Sequence, residues 1–182
     1  MKPNRSLTLF LMVFVVVAVL VAIQNMQPRV VAGPTPTPPD PQTFTDFTLN
    51  DIQAIRLRSP ESNLTFDLAR DANGLWTAPN ATGTLNTTEA NNIAKTMVLL
   101  PYSQTLTLKA GDDKKTYGFT PEGILVIEIV LQTGVTHAVE VGYRTPTKEN
   151  YYALVDDRPD LYLLDRAPID YIISRLKTPP VS

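Results

Sequence analysis

No cysteine occurs in the 182 residues, and there is only one histidine and one tryptophan. Without thiols there can be no disulfide, thiolate metal site, cysteine nucleophile or lipid-modified cysteine anchor. A domain of this kind holds together through its core. The single histidine, His137, leaves little for zinc, because a site would need carboxylates for its other ligands and HExxH spacing is absent. A hydrolase triad would need a nucleophile elbow, and GxSxG is absent too. Acidic residues are missing from the first 39 positions. Asp40 is the first of 18, and only Lys2, Arg5 and Arg29 of the 16 basic residues precede it. The remainder therefore carries 13 basic against 18 acidic groups, a net charge of −5. No basic run exceeds Lys114-Lys115, so nucleic acid is not an expected partner.

What is present begins with Leu7–Ile23, LTLFLMVFVVVAVLVAI, 17 residues interrupted only by Thr8. As a helix this run spans about 26 Å, and Ser6 and Gln24-Asn25 can occupy the interface on either side of the hydrocarbon. The competing reading is a cleaved signal peptide, with Val30-Val31-Ala32 as the small residues of the cleavage site. The apolar core exceeds the usual ~7–15 residues, which favours an uncleaved anchor. Lys2 and Arg5 keep the N-terminus in the cytoplasm and send the rest outside. Pro28–Pro41 then holds six prolines in 14 residues, which exclude helix and sheet and favour extended polyproline geometry. The expected organisation is a cytoplasmic tail (1–6), a transmembrane anchor (7–25), a proline-rich stalk (26–43), an extracytoplasmic domain (44–178) and a short tail (179–182).

Within the domain, apolar residues alternate through Asp51–Ser59 and Leu64–Arg70, predicting half-buried strands. Asp71-Ala72-Asn73-Gly74 supplies hairpin chemistry, and Leu75-Trp76-Thr77 returns, with Trp76 in the core. Asn86–Leu100 reads as a helix capped by Asn86 and ended by Pro101, with Ala90, Ile93, Ala94, Met97 and Leu100 on one face. The plan then repeats. Ile124–Leu131 and Thr136–Val141 flank a turn at Gln132-Thr133-Gly134. Asn150–Val155 and Leu161–Leu164 flank Asp156–Asp160, a turn whose charges are solvated or paired to Arg158. Asp165 is placed to cap a final helix with Pro168 in its first turn. The predicted class is α+β: an antiparallel sheet of two similar strands-then-helix halves, with the helices on one side.

Between the halves stands KTYGFTPEG, Lys115–Gly123. Gly118 permits a bend, Pro121 fixes φ, and Tyr117 and Phe119 flank the glycine. These four residues read as a structural corner; two glycines without a following amphipathic helix cannot cradle phosphate. Four tyrosines, Tyr143, Tyr151, Tyr152 and Tyr162, fall in the second half. Tyr151 and Tyr152 are adjacent in a strand and must face opposite ways. An exposed tyrosine on a sheet face can anchor a partner, so Tyr143, Tyr151 and Tyr152 are the candidate partner surface.

Tyr117-Gly118-Phe119-Thr120-Pro121 resembles the Tyr-Gly-Leu-x-Pro signature of a bacterial envelope family, domain of unknown function 4340. Asn73-Gly74-Leu75-Trp76-Thr77-Ala78-Pro79 is similar to that family's tryptophan hairpin. Val141-Gly142 with Asn150-Tyr151-Tyr152-Ala153 is similar to its later strand pair. Phe119 stands where leucine is usual, a change that suits packing. The resemblance implies an N-terminally anchored extracytoplasmic protein, and some members accompany ABC-type transport and gliding systems. It supplies no catalytic residues.

No catalytic, metal or cofactor residues are expected. The enzyme alternative, a hydrolase on loop carboxylates, rests on Asp112-Asp113 and Asp156-Asp157, which lack the alternating oxygens of a calcium loop. The expected function is a membrane-anchored interaction domain with an envelope protein partner. Its rival is a small-molecule or envelope-polymer binding domain that uses the groove between the halves.

Overall fold

The computed structural model describes residues 42–43, 45–109 and 111–182. The anchor at 7–25, and the stalk apart from Gln42 and Thr43, lie outside the described residues. Among the described residues no helix is long and apolar enough to cross a membrane.

Alternation decides which way each strand faces. In β2 (Ile52–Ser59) Ile55 and Leu57 are buried while Arg56 is exposed. In β3 (Leu64–Arg70) Phe66 and Leu68 point the same way. Gly74, at φ 76°, closes the turn to β4 (Trp76–Thr77). The first helix, α1 (Thr87–Val98), starts at Asn86, whose side chain accepts the Glu89 amide. β5 (Pro101–Thr107) follows directly. The second run comprises β6 (Leu125–Leu131), β7 (Thr136–Arg144), β8 (Asn150–Val155), β9 (Asp160–Asp165) and α2 (Arg166–Lys177). The short β1 (Gln42–Thr43) pairs with β5.

These strands form one antiparallel sheet in the order β1-β5-β9-β8-β7-β6-β2-β3-β4. Its registers align Leu57 with Phe66 and Ile127, and Ile127 with Val139, so one face is apolar across four strands. Ala90, Ile93 and Met97 of α1 and Ile169, Ile172 and Leu176 of α2 belong to the same buried cluster. Burying each of these isoleucine, leucine and methionine side chains contributes about 1.5–3 kcal/mol. The opposite face carries ions instead: Arg56 meets Glu128 at 3.3 Å, and Arg58 grips Glu122 with both terminal nitrogens. Glu89 ties the helices together by accepting from the Tyr171 hydroxyl at 3.1 Å and pairing with Arg175 at 3.6 Å.

Several features depart from the sequence reading, among them Gln42 and Thr43, assigned to the stalk but paired with β5 as a strand of the sheet. β5 was not anticipated, because Pro101 reads as a helix stop; a proline is equally tolerated as the first residue of a strand. α1 ends at Val98, two residues early, with Leu99 as its cap. Asp165 stands at the N-cap of α2 without capping it by side chain, and its carboxylate instead accepts from Asn150. Residues 179–182 are bound rather than forming a tail: Ser182 exchanges backbone hydrogen bonds with Thr84, and the Asn86 amide donates to Pro180.

Candidate functional site

The KTYGFTPEG stretch builds a bend on the outer face of the sheet. Lys114–Tyr117 forms a 3-10 turn whose start is capped by Asp113, and Gly118 ends it at φ 97°. A Cβ at Gly118 would strike the Tyr143 amide and lie 2.7 Å from Cγ of the Tyr143 ring. Phe119 is buried, and a Cβ at Gly142 would come within 3.0 Å of its Cζ. The Thr120–Pro121 peptide is cis. Tyr117 meets Tyr152 edge-on, with ring centroids 5.0 Å apart. The bend therefore packs Phe119 down and leaves tyrosines above it.

The three tyrosines proposed as a partner surface are divided. Tyr143 is 54% exposed. Tyr152 is half-buried beneath Tyr117 on the same outer face. Tyr151 is 3% exposed and points to the opposite, helix-covered face, as period-2 geometry requires. Its removal from the surface set is a correction. The outer-face aromatic patch is Tyr117, Tyr143 and Tyr152. Tyr162 is core and meets Tyr102 edge-on.

Tyr151 belongs to a second arrangement. Its hydroxyl donates to Asp170 Oδ1 at 2.7 Å and accepts from Arg144 Nε at 2.8 Å. Arg144 Nη2 reaches the same Oδ1 at 2.7 Å, and Arg166 Nε reaches Oδ2 at 3.0 Å. Burial pushes the Tyr151 hydroxyl up, and its bond to Asp170 adds to this. For Asp170 burial acts upward, but the bonds from Tyr151 and Arg144 outweigh it, so the carboxyl sits below its ordinary value. This group borders a cavity of about 470 Å³ between the β2–β3 turn, the strand ends and α2. Leu64, Ile124, Leu125, Ile173 and Leu176 form its apolar lining, while Glu61 and Lys177 add charge. Sequence reasoning missed this cluster because Asp170 comes from α2, 19 residues beyond Tyr151, and meets it only once the helix packs on the sheet. The available signal was local: Arg144 and Tyr151 flank a short hairpin loop and pair across it.

His137 is placed against Asp156, with Nδ1 3.1 Å from Oδ2, and its ring stacks on Phe47 at 5.4 Å. Asp156 also accepts the Ala138 amide, so this carboxylate organises its own turn. The Arg158 side chain reaches the Tyr162 hydroxyl. Asp112 and Asp113 likewise accept backbone amides, of Lys109 and Lys115. Among the described residues no group of three or more acidic or histidine side chains could hold a metal ion. The chain matches no protein-family model, no curated protein and no solved structure.

Proposed function

We propose that this chain is a single-pass bacterial envelope protein whose extracytoplasmic domain binds another protein, as an accessory subunit of a membrane or transport complex. The observation that carries the reading is Tyr143, a large aromatic that is 54% exposed and packs over Gly118, on the face that also carries Tyr117 and Tyr152. Tyrosine suits this role because it buries a large area with few rotamers and keeps a polar handle. The apolar run at Leu7–Ile23, its basic flank and the proline-rich stalk support the membrane placement. The motif resemblance to domain of unknown function 4340 supports the envelope setting.

The test is crosslinking in native membranes with tagged full-length chain. A stoichiometric partner should be captured by the natural sequence and lost with Tyr143→Ala. The same substitution should move Tm by less than about 4 °C, because the residue lies outside the core. Retention of the partner by Tyr143→Ala would sink the assignment to this patch.

The 470 Å³ cavity favours a second reading, a binding site for a small molecule or envelope polymer. Its size falls in the ~300–1,000 Å³ range of ligand pockets, and its lining mixes an apolar surface with a few fixed polar groups. A thermal-shift screen on full-length chain, repeated with Ile124→Trp to fill the cavity, separates the two readings. A ligand that stabilises the natural sequence and leaves Ile124→Trp unmoved would favour this one.

A further inference from the structure

The cavity beside α2 is bordered by polar groups of two kinds. Most are engaged with one another. Ser62 donates to Ser59 at 2.8 Å across the β2–β3 turn. Tyr151 and Arg144 hold one oxygen of Asp170, and Arg166 holds the other. A ligand cation approaching that carboxylate would meet two guanidinium groups and be repelled. Two lining charges are different. Glu61 in the β2–β3 turn and Lys177 at the end of α2 are exposed, and neither takes part in an ion pair among the described residues.

The signs are distributed by element. α2 brings Arg166 and Lys177 against Asp170, and Arg144 joins them from the end of β7, so this side is cationic. The turn contributes Glu61 as its one charge. An apolar body that enters the cavity takes water from Glu61 and Lys177, and a desolvated charge left unpaired is costly. An anionic amphiphile would answer Lys177 and leave Glu61, and a cationic one would do the reverse. A zwitterion answers both.

We infer that the cavity takes a short apolar peptide with free ends. Its α-ammonium pairs with Glu61, its α-carboxylate faces Lys177 and the cationic side, and its aliphatic side chains lie against Leu64, Ile124, Ile173 and Leu176. The inference rests on the small-molecule reading of this cavity and adds the class of ligand. A volume of about 470 Å³ has room for a few aliphatic side chains and not for the paired acyl chains of a phospholipid. Among zwitterions with apolar bodies, size therefore selects the peptide. The fixed Arg144–Tyr151–Asp170 group keeps its shape whether or not the ligand is bound, so the site is organised in advance.

The test is isothermal titration calorimetry on the full chain in lipid nanodiscs, with leucyl-leucine as the probe. Leucyl-leucine should bind the natural sequence and not Ile124→Trp. Blocking both ends, as N-acetyl-leucyl-leucine amide, should weaken binding by about tenfold or more, as expected when charge-assisted contacts are lost. Glu61→Gln should weaken leucyl-leucine by a similar factor and leave N-acetyl-leucyl-leucine unchanged. Lys177→Gln should do the same, with leucyl-leucine amide as the peptide left unchanged. If the doubly blocked peptide binds as tightly as the free one and is lost in Ile124→Trp, the zwitterion falls and the small-molecule reading stands. A Glu61→Gln effect that persists with the acetylated peptide would overturn the ammonium pairing. Absence of binding by both peptides would overturn the inference as a whole, and the thermal-shift screen then tests the small-molecule reading by itself.

Discussion

Gly118 and Gly134 share a left-handed backbone and differ in their surroundings. Gly134, at φ 84°, ends the Leu131–Val135 turn with nothing within 4 Å of a would-be Cβ. At Gly118 the same atom would collide with the Tyr143 backbone and ring. Alanine at Gly134 should therefore cost only the dihedral penalty, about 1–2 kcal/mol. Alanine at Gly118 should cost about 1–3 kcal/mol more, because a packed neighbour has to move. Urea unfolding of the two variants measures the difference directly, and equal midpoints would show that Tyr143 yields freely. The glycine and its flanking rings were legible in the sequence, since KTYGFTPEG carries its own bend chemistry. The ring it supports was legible only as a residue type. Which of Tyr143, Tyr151 and Tyr152 lies outside depends on the face α2 covers, and no local pattern states that.

The hairpin turns, the Asn86 cap and the inward stripes of both helices could be read from the chain because each is set within a few residues. β5 could not, since Ser103, Gln104 and Thr105 are polar on both faces and the strand is defined by its partner β9. The contact between the helices is another product of distance, because Glu89 and Tyr171 meet only after the sheet has formed. Burial, then the hydrogen bond to Glu89 and its charge, push the Tyr171 hydroxyl up to about 12 from 10.0. The folded state thus keeps a proton that the unfolded chain releases first. This contribution is complete below pH 10 and is lost as pH rises through about 12. Between those values the natural chain should lose stability with pH more steeply than Tyr171→Phe, measured by denaturant unfolding at fixed ionic strength. Parallel curves would place the proton elsewhere.

At the scale of the molecule, the strands of the two runs are not simply side by side. The first run supplies β2-β3-β4 at one end of the sheet and β5 at the other, and the second run fills the middle as β9-β8-β7-β6. The antiparallel α+β class with two helices was readable from hairpin-length loops. The order was not, because the joining pairs β2–β6 and β5–β9 link segments more than fifty residues apart and leave no trace in local periodicity. That order has a consequence for a severed chain. Breaking the backbone in the exposed stretch Gly111–Lys114 leaves two pieces, one clasping the other from both sides through the β2–β6 and β5–β9 ladders. A protease site inserted there should give two bands on a denaturing gel and a single particle by native mass spectrometry. The same seam would serve as a split reporter, whose fragments regain one sheet when brought together and report proximity by refolding.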